Sequence, residues 1–437
     1  MKKIYNVLFV LMALVSFASC SNDIDETFDK SSSERINETM AECKNVLTSA
    51  QNGWLMKYYP KANTQYGGYN VLVKFDADGN VTAMSDALES DTKATSHYKL
   101  EQSSGVVLSF DEYNKVIHFF SDPANPAGIG NNGKGMEGDL EFRMQTACAD
   151  SVVMLGKKRN AKIVMTPLEQ DADWAKIVDG MVDMENDMAF PSYQMEVNGA
   201  QYMATTSYRT MTFTRQDAEE DLVTMPYIVT QTGIEFYSPV TLNGETIKGF
   251  NYVGGDNYEF DATDGSAVKM YGLVPPISEQ VINGDWFFSV ANMGTYAQTY
   301  WNKANTQVSQ YYSPCYYVAL TTSAFDGYTG HWGMFANVAG YGSFIDLTPS
   351  FVDDDHIELS CAHKFGLNGQ YFYQWGQVYM THSLTGDTGN AANKVSVTYK
   401  VELVEGTLRS PSAIKLTDTE NADNWYVLTR EMPDSPF

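Results

Sequence analysis

At 437 residues, 43% of them hydrophobic, the chain exceeds the roughly 250–300 residues at which a single core stops growing, so two or three domains are expected. Its formal net charge of −25 excludes nucleic acid and anionic lipid headgroups as partners, because both require a basic face.

The chain opens Met1-Lys2-Lys3, continues through an apolar stretch from Val7 to Phe17, and reaches Ala18 and Ser19 directly before Cys20. That stretch is shorter than the roughly 20 residues a spanning helix needs, so 1–19 reads as a secretory signal peptide. Small residues before Cys20 resemble the lipobox of bacterial lipoproteins, whose thiol is acylated (palmitate is the chain expected) and becomes the first mature residue. Phe17 departs from the usual Leu. The alternative is an ordinary signal cut near Ser19, with Cys20 a spare thiol. SNDIDETFDKSSS follows, acidic and poor in apolar groups, so 20–32 is expected to be the lipidated Cys and a disordered tether. An acidic run at this place resembles the surface-export signal of Bacteroidota lipoproteins.

The fold expected beyond it is mainly β (α+β): antiparallel meander, barrel- or sandwich-like domains with an N-terminal helix and a second short helix. Ser31 and Glu34 make a capping box, and Ile36, Met40, Cys43 and Leu47 share one helical face, predicting a helix over 34–51. WLMKYY and YNVLVKF then read as strands. VKFDADGNVTAM (73–84), LSFDEYNKVIHF (108–119) and YEFDATDGSAVKM (258–270) share a Phe-Asp, turn, strand plan and are predicted hairpins. DADWAKIVDGMVDMENDM (171–188) predicts the second helix. LVPPISEQVING (273–284) reads as a linker because Pro275 and Pro276 interrupt any element. Gly284-Asp285-Trp286 then opens a β run and resembles the first strand of lipocalin-like barrels, where Trp plugs the closed end. Predicted domains are 33–190 (helix plus antiparallel sheet), 191–278 (middle β region) and 279–437 (aromatic-rich β domain, lipocalin-like).

Motifs with specific chemistry are few. GIGNNGKG (128–135) satisfies GxGxxG and GxxxxGK, but a strand pattern follows where a phosphate cradle needs a helix, and Gly135 stands where Ser or Thr would hold Mg²⁺. It reads as a loop. DADGN begins like a calcium loop, yet Ala87 stands where the closing Glu is required. His331, His356, His363 and His382 cluster near Cys361; Cys361 and His363 share a strand face and His356 points to the other. These weak candidates, His356, Cys361 and His363, are the nearest approach to a zinc site, and no metal or other cofactor is expected. No HExxH, GxSxG or Cys-His signature specifies catalytic residues. None of Cys43, Cys148, Cys315 and Cys361 forms a CxxC pair, and buried free thiols are expected, with room for one bridge.

The strongest positive feature is aromatic density after residue 284. In YFYQWGQVY, strand alternation places Tyr371, Tyr373 and Trp375 on one face. Such a row fills a β core, or, on an open sheet, stacks sugars or a partner. Trp301, Trp332, Tyr371, Tyr373 and Trp375 are the ligand-binding candidates.

The lipobox Cys20, the helix ERINETMAECKNVLTSAQNGW, the strand pair GGYNVLVKFDADGNVTAMSD and GIEFYSP together resemble an uncharacterised domain family of Bacteroidota lipoproteins, of the domain-of-unknown-function 4302 type. The resemblance implies an outer-membrane, lipid-anchored protein, encoded beside uptake porins of the starch-utilisation type, and implies no catalytic residues. The function expected is a non-enzymatic, surface-exposed lipoprotein that binds a glycan or peptide or accompanies a porin complex. The alternatives are a secreted metal-assisted hydrolase using the His/Cys group at 331–382, and a structural envelope protein.

Overall fold

The computed structural model describes residues 31–124, 127–218, 222–311, 315–322, 330–338 and 340–434, so Cys20 and the signal segment lie outside the described residues. The chain divides between Gly272 and Leu273 into two compact units.

In the first unit, α1 (Ser32–Ser49) starts on the capping box: the Glu34 amide donates to Ser31 Oγ at 3.2 Å and the Ser31 amide donates to Glu34 Oε2 at 2.9 Å. Leu47 is fully buried, and its carbonyl accepts the Trp54 indole N–H at 2.9 Å, tying the helix to the strand after it. Nine antiparallel strands follow: β1 (Trp54–Tyr58), β2 (Tyr69–Phe75), β3 (Asn80–Ser85), β4 (Ala94–His97), β5 (Lys99–Ser103), β6 (Gly105–Ser109), β7 (Glu141–Ala147), β8 (Val152–Gly156) and β9 (Lys162–Pro167). Their spatial order is β4-β3-β2-β1-β9-β8-β7-β6-β5. Alternation along β2 sends Val71 and Val73 into one cluster with Leu47 and Trp54, and Leu72 into another with Trp174 and Val178 of α2 (Trp174–Asp187). Both faces of the sheet are therefore covered.

The hairpins at 73–84 and 258–270 form. The one expected at 108–119 does not. After Phe110 the chain turns on Asn114, whose Oδ1 accepts the amides of Val116 and Ile117 at 3.0 and 3.3 Å, and a 3₁₀ turn His118–Phe120 drops Phe119 and Phe120 into the core. The Asn side chain captures amides that a strand would have presented to a neighbour.

Eight strands from β10 (Ser192–Val197) to β17 (Lys269–Leu273) close a first barrel. Along β10, Tyr193, Met195 and Val197 are buried while Gln194 and Glu196 face water. This is the reverse of a membrane barrel, whose outer face is apolar. Sheet and barrel meet over buried polar groups: Arg209 donates to Asp86 Oδ2 at 2.8 Å and to the Gly68 carbonyl at 3.0 Å, and Asn70 Nδ2 donates to the Val229 carbonyl at 2.7 Å.

The second unit begins inside the segment read as a linker. Pro276 caps a short helix, α3 (Ile277–Ile282), because a residue without an N–H costs nothing where that amide has no helical partner. Eight strands from β18 (Trp286–Met293) to β25 (Trp425–Thr429) then close a second barrel in simple up-and-down order. Trp286 is fully buried, its indole N–H donates to the Gln280 carbonyl of α3 at 3.4 Å, and the Arg430 guanidinium lies 3.8 Å from its ring centre. A Cβ on Gly284 would sit 2.2 Å from Arg430 Nη1, so a larger residue there would have to displace the guanidinium from the Trp286 ring.

Two helical segments were not legible. Helix α4 (Thr295–Tyr311) buries Ala297, Trp301, Ala304 and Val308 among the inward residues of the barrel. YFYQWGQVYM is helical too: α5 (Gly369–Phe372), a π turn Tyr373–Gln377 and α6 (Val378–Thr385). Gly376 marks the break, with φ of 152°, and a Cβ there would lie 2.8 Å from the Ala304 carbonyl of α4. Barrel side chains such as Met334, Ile357, Leu416 and Leu428 join these helices in one core, so the barrel encloses side chains.

Among the described residues no disulfide forms: Cys43 and Cys315 are buried, Cys361 is half-buried, and Cys148 is exposed, contrary to expectation. No helix among them is long and apolar enough to cross a membrane.

Candidate functional site

The helical course of 369–385 separates the five aromatic candidates. Trp301 is fully buried and its indole donates to Ser383 Oγ at 3.0 Å, while Trp332 and Tyr373 are 9% and 8% exposed. These three fill the core, and cannot stack a ligand as the strand reading required. Tyr371 and Trp375 instead sit four residues apart on a helical surface, where residues at this spacing are neighbours.

There they meet a ring that the sequence offered no reason to single out. Tyr311, at the end of α4, stacks on Trp375 at 5.4 Å between centroids and 12° between planes. Tyr371 lies 6.0 Å from the same indole and Phe372 meets it edge-on at 89°. Tyr311 and Tyr371 are 62% and 60% exposed, and Gln370 and Gln374 are exposed beside them. Trp375 is the hub of the patch, and the open ring faces belong to the two tyrosines.

A second constellation lies on β22 (His356–Leu367). Ile345 pairs with Phe365 but Leu347 with Cys361, so two residues of β21 (Tyr341–Asp353) oppose four of β22, and His363 in this bulge has φ of 52°. The bulge brings Cys361 and His363 to Asp387, all three offering ligand atoms within 4.8 Å of one another. Asp387 is 1% exposed; its Oδ2 accepts the Tyr373 hydroxyl, its Oδ1 accepts the Gly389 amide at 3.0 Å, and His363 Nε2 is 3.2 Å from Oδ1. A cavity of about 380 Å³ opens beside them, lined also by Glu358, Ser360 and Lys394. Burial pushes the Cys361 thiol up to about 12, which favours its protonated form. Sequence spacing paired Cys361 with His363 but gave no sign of Asp387, 24 residues on from His363 and joined to it only by the fold.

The remaining motifs are occupied by local structure. His356 belongs to a separate exposed group, with Nδ1 2.8 Å from Asp353 Oδ1 and from Asp355 Oδ1. His331 Nδ1 lies 2.5 Å from Asp346 Oδ2. Asp76 Oδ1 accepts the amides of Asp78 and Asn80 at 2.9 and 2.8 Å, so the calcium-like DADGN is a hairpin turn. In GIGNNGKG, Asn131 bridges to Gly135 within the loop itself, and the next regular element is β7.

The structure thus defines a β-rich protein with a helix-flanked nine-stranded sheet, two closed barrels, and its distinctive side-chain chemistry on the second barrel. The chain belongs to the family described as Domain of unknown function (DUF4302), whose model matches residues 24–254. That span holds the sheet and most of the first barrel, and the second barrel lies beyond it. No curated protein matches the chain. Among solved structures, the beta subunit from DNA polymerase of Streptococcus pyogenes aligns at 10% identity over 92% of this chain and 98% of its own, with a TM-score of 0.13. A DNA polymerase III beta chain from Streptococcus pneumoniae aligns at 9% identity over 92% and 98%, with a TM-score of 0.10. A putative DNA polymerase III beta subunit from Eubacterium rectale gives 9% identity over 89% and 96%, with a TM-score of 0.12. Likenesses of this size carry no argument about fold or function.

Proposed function

We propose that the protein is a non-enzymatic lipoprotein, acylated at Cys20, facing outward from the outer membrane, and holding a neutral glycan on the Tyr311–Trp375–Tyr371 patch. The observation that carries the reading is the patch: two tyrosine rings about three-fifths exposed, each in contact with the Trp375 indole, where isolated surface aromatics are ordinary and clustered ones mark recognition. Sugar C–H faces stack on such rings, and the neighbouring Gln370 and Gln374 amides supply donors and acceptors for hydroxyl groups. The chain's charge of −25 favours a neutral ligand over an anionic one. The lipobox supports the anchor, and the acidic run behind Cys20 supports the outward face.

The full chain, purified in detergent, is expected to bind neutral oligosaccharides on a glycan array, with Tyr311→Ala and Tyr371→Ala each weakening capture by about 10-fold or more, the scale of one stacking ring at about 1–2 kcal/mol. Capture of extended peptides alone would move the ligand class to peptide. Capture unchanged in both variants would remove the patch from the account.

A further inference from the structure

We propose that Cys361, His363 and Asp387 form a site for one divalent transition-metal ion of the zinc type on the second barrel. The site is independent of the glycan reading, since none of its residues belongs to the aromatic patch.

Three observations converge. First, the donor set is thiol, imidazole and carboxylate within 4.8 Å of one another. Zinc sits at about 2.3 Å from sulfur and about 2.0–2.2 Å from nitrogen or oxygen, which holds tetrahedral ligands roughly 3.3–3.7 Å apart. Rotations of about an ångström at the side-chain tips close that gap. Second, His363 is held in the left-handed region inside a bulge of β22, a costly backbone state, with its Nε2 3.2 Å from Asp387 Oδ1. Third, the Asp387 carboxylate is oriented before any ion arrives: Tyr373 donates to Oδ2 and the Gly389 amide to Oδ1, while His382 Nδ1 contacts the Asp387 carbonyl at 2.7 Å. Such outer contacts fix ligand direction in metal sites.

The chemistry selects the ion. A thiolate with an imidazole and a single carboxylate suits zinc or its first-row neighbours and disfavours calcium and magnesium, which take oxygen ligands. Binding displaces the Cys361 thiol proton to solvent, so the thiolate, neutral imidazole and carboxylate together neutralise the dication. The cavity of about 380 Å³ beside the three residues gives the fourth position to water or to a small donor ligand. The exposed Asp353–Asp355–His356 group lacks a soft donor and a buried ligand, and carries no such assignment.

The test uses the full chain in detergent, stripped with a chelator and titrated with Co²⁺ and then Zn²⁺. One equivalent of Co²⁺ is expected to give tetrahedral d–d bands with a thiolate-to-cobalt charge-transfer band, both displaced by one equivalent of Zn²⁺. Cys361→Ser is expected to abolish the charge-transfer band, His363→Ala and Asp387→Asn to abolish stoichiometric binding, and Tyr373→Phe to weaken it by about 10–100-fold. Cys148→Ser, at an exposed thiol, is expected to change nothing. A wild-type spectrum with no charge-transfer band, or a band that survives Cys361→Ser, overturns the proposal. The wild-type spectrum decides even where a ligand variant fails to fold.

Discussion

Arg209 is 3% exposed, donates to Asp86 and Gly68, reaches Glu185 Oε2 at 2.5 Å through its outer nitrogen, and lies 4.4 Å above the Tyr69 ring. Burial works against charge on both Arg209 and Asp86, but the two carboxylates hold the guanidinium firmly protonated. Removing it strands a fully buried Asp86 whose carboxyl burial already pushes upward. Arg209→Met is therefore expected to lower the unfolding free energy of the first unit by about 3–5 kcal/mol, read from urea denaturation, with Asp86→Leu/Arg209→Met together recovering part of it. Equal losses in the single and double variants would contradict this. His118 supplies a pH test: the ring is partly buried, its Nδ1 accepts the Asn114 amide at 3.2 Å, and burial pulls its pKa below the usual 6.5. The unfolded chain then takes up a proton first, so stability is full above about pH 6.5 and declines as pH falls through that value toward the folded one. His118→Gln is expected to lose less stability than wild type between pH 7 and 5.5, and parallel curves would count against the assignment.

At the scale of elements, α4 and the broken helix from Gly369 to Thr385 position both candidate sites. Gly376 has φ of 152° and its Cβ position faces the Ala304 carbonyl at 2.8 Å, so Gly376→Ala is expected to cost about 1–3 kcal/mol and to pull Trp375 off Tyr311. Trp301→Ala, which empties a fully buried site, is expected to cost about 3–5 kcal/mol, and both losses are read by thermal melting. The sequence made α1, α2 and most strands legible because their caps and periods agree: Ser31 with Glu34, Asp173 before Trp174, alternation along β10. It misled at 371–380, where aromatic residues at every second position imitate a strand although Phe372, Gly376, Met380 and Leu384 are buried at helical spacing. Aromatic side chains favour strands by fitting a pleated surface, and tertiary packing of α4 overrides that preference here. The same error hid the candidate site, since Tyr311 reaches Trp375 only if both lie on packed helices, and Asp387 reaches His363 only through the chain that leaves α6.

At the scale of the molecule, the proposed attachment to a membrane rests on the lipid at Cys20, since no helix among the described residues is long and apolar enough to cross a bilayer. Each buried acyl methylene contributes about 0.8 kcal/mol, so two or more chains on one cysteine would suffice to hold a protein at a bilayer. Cys20→Ala is expected to shift the protein from the outer-membrane fraction to the soluble one, and intact-mass analysis of wild type is expected to show an acylated first residue at Cys20. An unacylated mature terminus would contradict the anchor. The matched family span ends at residue 254, so both proposed sites, the aromatic patch and the Cys-His-Asp group, lie beyond it.

Isothermal titration of neutral oligosaccharides into wild type and Trp375→Ala tests the central claim most directly, because the hub indole touches Tyr311, Tyr371 and Phe372 at once. Saturable heat with wild type that weakens at least about 10-fold in a folded Trp375→Ala is the predicted result. Equal affinity in the two proteins, or no heat from wild type with any sugar, would contradict it.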